Sequence, residues 1–101
     1  MGDIDPYRMP AGPQLDELIH TRVMGISDRE YLPYSTDEKA AKRVLARIKA
    51  DSGRTVVVGK TALRTARYFA RYESDPSDGT EALAETLPLA ICRLALIHFS
   101  G

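Results

Sequence analysis

The sequence predicts an α+β fold in which three helices accompany a small three-stranded antiparallel sheet. Three observations carry this. Residues 87–99 are apolar around almost the whole circumference of a helix, and two earlier segments carry one-sided apolar stripes. Between them and the terminal segment, residues 54–86 change to β-branched and aromatic residues with a strong turn signal.

Along the chain, residues 1–13 hold Pro6, Pro10, Pro13, Gly2 and Gly12 without apolar periodicity, which predicts a flexible N-terminal arm. Residues 14–101 are then one α+β domain. From Gln14 onward, Leu15, Leu18, Ile19 and Val23 recur at helical spacing, with Asp16 and Glu17 in the first turn and Gly25 placed to end the helix. Ser35-Thr36-Asp37-Glu38 reads as a capping box: Ser35 caps, and Glu38 reaches back to its N–H. The helix it opens runs to about Ala50 and stops at Asp51-Ser52-Gly53. Its inner stripe is Ala41, Val44, Leu45 and Ile48, with Lys39, Lys42, Arg43 and Lys49 outward.

Thr55-Val56-Val57-Val58 predicts a strand ended by Gly59. Residues 61–74 fit either a helix or a strand, and the turn Asp75-Pro76-Ser77-Asp78-Gly79 favours a hairpin. Strands are therefore expected near 54–59, 65–73 and 80–86. Thr86 becomes the N-cap of the last helix, whose first turn tolerates Pro88. That helix is too apolar to keep a wet face. It should lie directly on the sheet with an outer helix or a second copy of the chain over its far side, so a homodimer is expected.

Composition narrows the function. No apolar run reaches the roughly 18 residues of a membrane span, and the first residues lack the basic and apolar regions of a secretory signal. The single cysteine, Cys92, lies in the apolar helix; this excludes a disulfide scaffold and points to the host cytoplasm and a core position. A net charge of zero conceals a division: residues 1–38 carry −5, residues 39–71 carry +9 and residues 72–101 carry −4. The basic segment offers Lys39, Arg43, Arg64, Arg67 and Arg71. The last three are interleaved with Tyr68, Phe69 and Tyr72, a combination suited to phosphate neutralisation and base stacking. As a strand, Arg67, Phe69 and Arg71 share one face and Tyr68 and Tyr72 the other. The competing reading is a solvated outer sheet face.

Other chemistry only looks present. Val58-Gly59-Lys60-Thr61 imitates the end of a phosphate-binding loop, but Arg54 stands where that loop needs its first glycine. His20 is expected in solvent, and His98 at a helix C-terminus where a cation is favoured. Neither histidine has metal-ligand spacing, so no metal and no cofactor are expected. Asp16, Glu17, Glu38 and Glu85 could supply paired carboxylates, although first turns of helices attract acids in any case.

Three blocks resemble one known family. Leu15-Asp16-Glu17-Leu18-Ile19 with Val23-Met24-Gly25, then Pro33-Tyr34-Ser35-Thr36-Asp37, then residues 84–93 from Ala84-Glu85-Thr86 to Cys92-Arg93, are similar in kind and order to the phage ABA-sandwich domain. Ile26 stands where that family carries a tryptophan, and residues 52–80 align with none of its blocks. The resemblance implies a small phage or prophage protein with an α/β/α layered sandwich and carries over no catalytic residue. Its motif positions here are Tyr34, Ser35, Thr36, Asp37, Glu85 and Thr86, each read as part of a helix start, hence structural; the alternative is that both helix N-termini converge and offer their free N–H groups to an anion. The resulting expectation is a non-enzymatic accessory protein that acts as a protein-interaction module on a host or phage protein. Two alternatives stand beside it: a binder of nucleic acid or nucleotide through residues 39–71, and a small carboxylate-dependent hydrolase.

Overall fold

The computed structural model describes residues 10–26, 31–62, 67–73 and 81–100. Helix α1 (Pro13–Leu18) continues directly into a wider π-helical stretch, Ile19–Val23. Then follow α2 (Glu38–Ser52), β1 (Val56–Lys60), β2 (Tyr68–Tyr72), β3 (Glu81–Ala84) and α3 (Leu87–Ser100). The three helices and the antiparallel sheet, in the order β1-β2-β3, are those expected. Most of the expected arm, residues 1–9, lies outside the described residues, as does the turn at 75–79.

Residue chemistry explains each boundary. Pro13 opens α1, where its missing N–H costs no bond. Leu15, Ile19 and Val23, each four apart, are all buried. An α-helix turns once per about 3.6 residues, so positions four apart drift around it. The wider turn, closed by Met24 N–H bonding to the Ile19 carbonyl at 3.0 Å, takes up that drift and keeps the three in line.

The expected capping box at Ser35 does not form. Asp37 caps α2 instead, its Oδ2 accepting the Ala40 N–H at 3.3 Å. Ser35 is committed elsewhere: its N–H and hydroxyl both donate to Asp16 Oδ1, at 2.8 and 2.7 Å. The Asp37 N–H bonds the Pro33 carbonyl at 2.9 Å, so residues 33–36 form a turn that delays the helix. At the other end Gly53 takes φ 70°, a left-handed geometry suited to glycine, and donates to the Lys49 carbonyl at 2.8 Å.

The strands are shorter than expected at 65–73 and 80–86, but the pairing is the one a hairpin requires. Phe69 sits opposite Gly59 and Leu83, Ala70 opposite Val58 and Ala82, and Arg71 opposite Val57 and Glu81. Alternation then decides the faces. Ala70, Ala82, Ala84 and Tyr72 are buried toward the helices, while Arg71 and Glu81 are exposed on the opposite face. Small alanines let α3 approach the sheet closely.

Helix α3 packs against all three strands on one side and against α2 and the π-helical stretch on the other. The stack therefore runs sheet, α3, outer helices, with the greasiest element in the middle. Leu94, Ala90, Ala95 and Cys92 have no exposed surface. Among the described residues no helix is long and apolar enough to cross a membrane.

Candidate functional site

Helices α2 and α3 run in the same direction. Their first turns meet at one end of the molecule, and their last turns meet at the other, where Asp51 Oδ2 lies 2.9 Å from His98 Nε2. The first helix shares this sense: Gly12, just before it, donates to Ser35 Oγ at 2.9 Å, and Val23, at its end, accepts from Arg47 Nε at 3.1 Å.

The common starting end holds a cleft of about 370 Å³. Thr36 and Glu38 line it from the start of α2, Glu85, Thr86, Leu87 and Pro88 from the start of α3, and Arg67 and Tyr68 from the start of β2. Thr86 occupies the cap position expected of it, its carbonyl accepting the Ala90 N–H at 3.1 Å. Glu38, Glu85, Thr36 and Arg67 are exposed and Tyr68 is half-buried. Two carboxylates, one guanidinium, two threonine hydroxyls and a phenol thus border one hollow.

The sequence-derived candidates divide among four places. Thr36, Glu85, Thr86 and Arg67 come together in the cleft. Tyr34 and Ser35 lie just behind it and are buried, bonded to the first helix, while Asp37 caps α2. Arg71 stands on the open sheet face with its guanidinium 5.2 Å from the centre of the Phe69 ring. Lys39 and Arg43 are exposed on α2, beyond α3 from that face, and Arg64 lies outside the described residues. The basic segment is therefore not one continuous surface among the described residues.

Sequence reasoning missed the buried polar groups. His20 is buried rather than solvated, with Nδ1 3.0 Å from the Tyr34 hydroxyl. Asp16 is buried against Ser35. The spacing of Asp16 and His20, one helical turn apart on the inward stripe, was the available signal. Together these bonds join two of the family-like blocks, the first helix and the Pro33–Asp37 turn. At the opposite end His98 lies between Asp51 and the Tyr72 hydroxyl, 2.7 Å from Nδ1, while the Arg54 guanidinium covers the Tyr72 ring at 4.0 Å. Burial pushes the Cys92 thiol well above its ordinary range, and the nearby Asp16 carboxylate adds to the shift. Among the described residues, no group of three or more His, Cys, Asp or Glu side chains gathers to hold a metal.

Comparison with known proteins places the fold. The crystal structure of a phage protein from Bacillus cereus ATCC 14579 matches the whole of this chain and 93% of its own, with a TM-score of 0.67 at 24% identity. The chain shares that protein's fold. No family model and no curated protein sequence matches it.

Proposed function

We propose that this chain is a phage or prophage accessory protein of the ABA-sandwich kind. In this reading it works in the host cytoplasm by binding a partner protein rather than by catalysis, and a segment of that partner lies in the cleft. The observation that carries the reading is the convergence of Thr36 from one family-like block and of Glu85 and Thr86 from another upon Arg67.

Electrostatics selects the ligand class. Each helix start contributes roughly +0.5 of an elementary charge, and Arg67 contributes a full positive charge. Glu38 and Glu85 offset nearly all of this. A cleft so close to neutral gives little advantage to a phosphate, while its mixture of donors and acceptors suits a polypeptide with polar backbone and side chains of both signs.

A photo-crosslinking residue at Thr36, in phage-infected host cells, tests this. The expected product is one discrete protein adduct that disappears when Arg67→Glu is added. Adducts to nucleic acid, with salt-sensitive retention on a single-stranded DNA column lost in Arg67→Glu/Arg71→Glu, would establish the anionic-ligand alternative instead.

A further inference from the structure

The face of the sheet turned away from α3 is covered by no helix among the described residues. Its rows read Val57, Arg71, Glu81 and then Gly59, Phe69, Leu83. Just beyond the paired strands the Thr61 N–H bonds the Arg67 carbonyl, in the register of β1 and β2. Down the columns, β2 presents Phe69 and Arg71, and β3 presents Leu83 and Glu81. The centre is flat: a Cβ on Gly59 would stand 2.9 Å from Phe69 Cε1, so the ring lies across the glycine. Val57, Phe69 and Leu83 are half-buried.

We infer that this face seats a second copy of this chain, related by a two-fold axis parallel to the strands and midway between β2 and β3. That axis sets β2 of one copy over β3 of the other. Arg71 then faces Glu81 of its mate and Phe69 faces Leu83. Two-fold axes that run along β2 or along β3 bring like charges together instead. An axis along β2 opposes Arg71 to Arg71, and an axis along β3 opposes Glu81 to Glu81. A patch holding equal and opposite columns is self-complementary in the manner an isologous interface needs.

The packing geometry permits the pairing. Aligned sheets cross at about 30°, and Arg71 lies two residues from the central Phe69. The crossing therefore displaces the charged row by only ~3.4 Å, within the reach of an arginine stem. The strands cover roughly 17 Å by 14 Å, well under the roughly 800 Å² per partner of a standard interface, so the contact is a weak one.

Arg71 and Glu81 line no part of the cleft, so their variants test this inference separately from the proposed function. The experiment is sedimentation velocity and native mass spectrometry on the full chain between about 5 and 300 μM at low salt, with circular dichroism melts as a folding control; that range brackets a micromolar constant. Wild type should pass from monomer to dimer. Arg71→Glu and Glu81→Arg should each stay monomeric, their equimolar mixture should form a heterodimer, and the double swap should restore the homodimer. A wild type monomeric throughout, single swaps that dimerise like wild type, or single variants that fail to pair with each other would each overturn the inference.

Discussion

Asp16 and Ser35, 19 residues apart, are joined by two hydrogen bonds to a single carboxylate oxygen, at 2.8 Å from the backbone N–H and 2.7 Å from the hydroxyl. Both residues are buried. Hydrogen bonds to a charged acceptor contribute about 1.5–3 kcal/mol each, and a buried donor left alone costs a comparable amount. Asp16→Ala should therefore lower the unfolding free energy by about 3 kcal/mol or more. Ser35→Ala keeps the backbone bond and should lose about 1–2 kcal/mol. Urea titrations of the two variants check both the size and the order.

Leu94 is the second test, because no part of it is exposed within the middle layer. Placing a carboxylate there strands a charge between sheet and outer helices, a cost of several kcal/mol against a total stability of about 5–15 kcal/mol. Leu94→Asp should abolish the cooperative melt, whereas Leu94→Met should melt within a few degrees of wild type. Calorimetry or circular dichroism distinguishes them.

Cys92 links stability to pH. Its folded thiol titrates far above the unfolded one, for which the pKa is about 8.5, because burial disfavours the thiolate and Asp16 adds repulsion. The folded state therefore holds its proton more tightly. The contribution is fully present below the unfolded pKa and is lost as pH rises beyond it, by about 1.4 kcal/mol per pH unit. Cys92→Ala should remove that alkaline slope. A thiol reagent at pH 8 should leave the native chain unmodified and label it at the rate of unfolding.

The Asp51, His98 and Tyr72 chain is a weaker clasp. The Asp51 and His98 side chains are 48% and 21% exposed, so solvent screens their attraction. The ring donates to Asp51 at Nε2 and shares a hydrogen bond with the Tyr72 hydroxyl at Nδ1. Tyr72→Phe should cost about 1 kcal/mol and Asp51→Asn less than that, measured as shifts in Tm. A larger loss from Asp51→Asn would mean that the pair is better shielded than its exposure indicates.

Where one physical signal dominated, the architecture was legible in the chain. The apolar residues 87–99 demanded cover on two sides and have it, and Gly53 and Gly25 ended helices where left-handed geometry was needed. The strands were legible because the composition of Asp75-Pro76-Ser77-Asp78-Gly79 predicts a turn whatever the ambiguity of residues 61–74. Two polar details escaped. Ser35 had the spacing of a capping residue, yet a tertiary partner outcompeted the local one, because a buried carboxylate binds a hydroxyl more strongly than a helix amide does. His20 is polar by type, and its burial rests on tertiary neighbours, Tyr34 among them, that no local pattern shows. Of the cleft, the helix starts could be read at Ser35–Glu38 and Glu85–Thr86. Their meeting with Arg67 depended on two helices running the same way, which no local pattern encodes.

The wide turn at Ile19–Val23 has a consequence for how this chain tolerates change in length. It amounts to one surplus residue stored in the coil, with Thr21 outermost. Excising Thr21 would tighten the coil to ordinary pitch and leave Leu15 and Val23 seven positions apart, about two turns of an α-helix and so still on one face. Adding a residue elsewhere in the helix would have no such store to draw on. The site is thus a one-residue buffer, and deletions should be accepted there before anywhere else in the first helix.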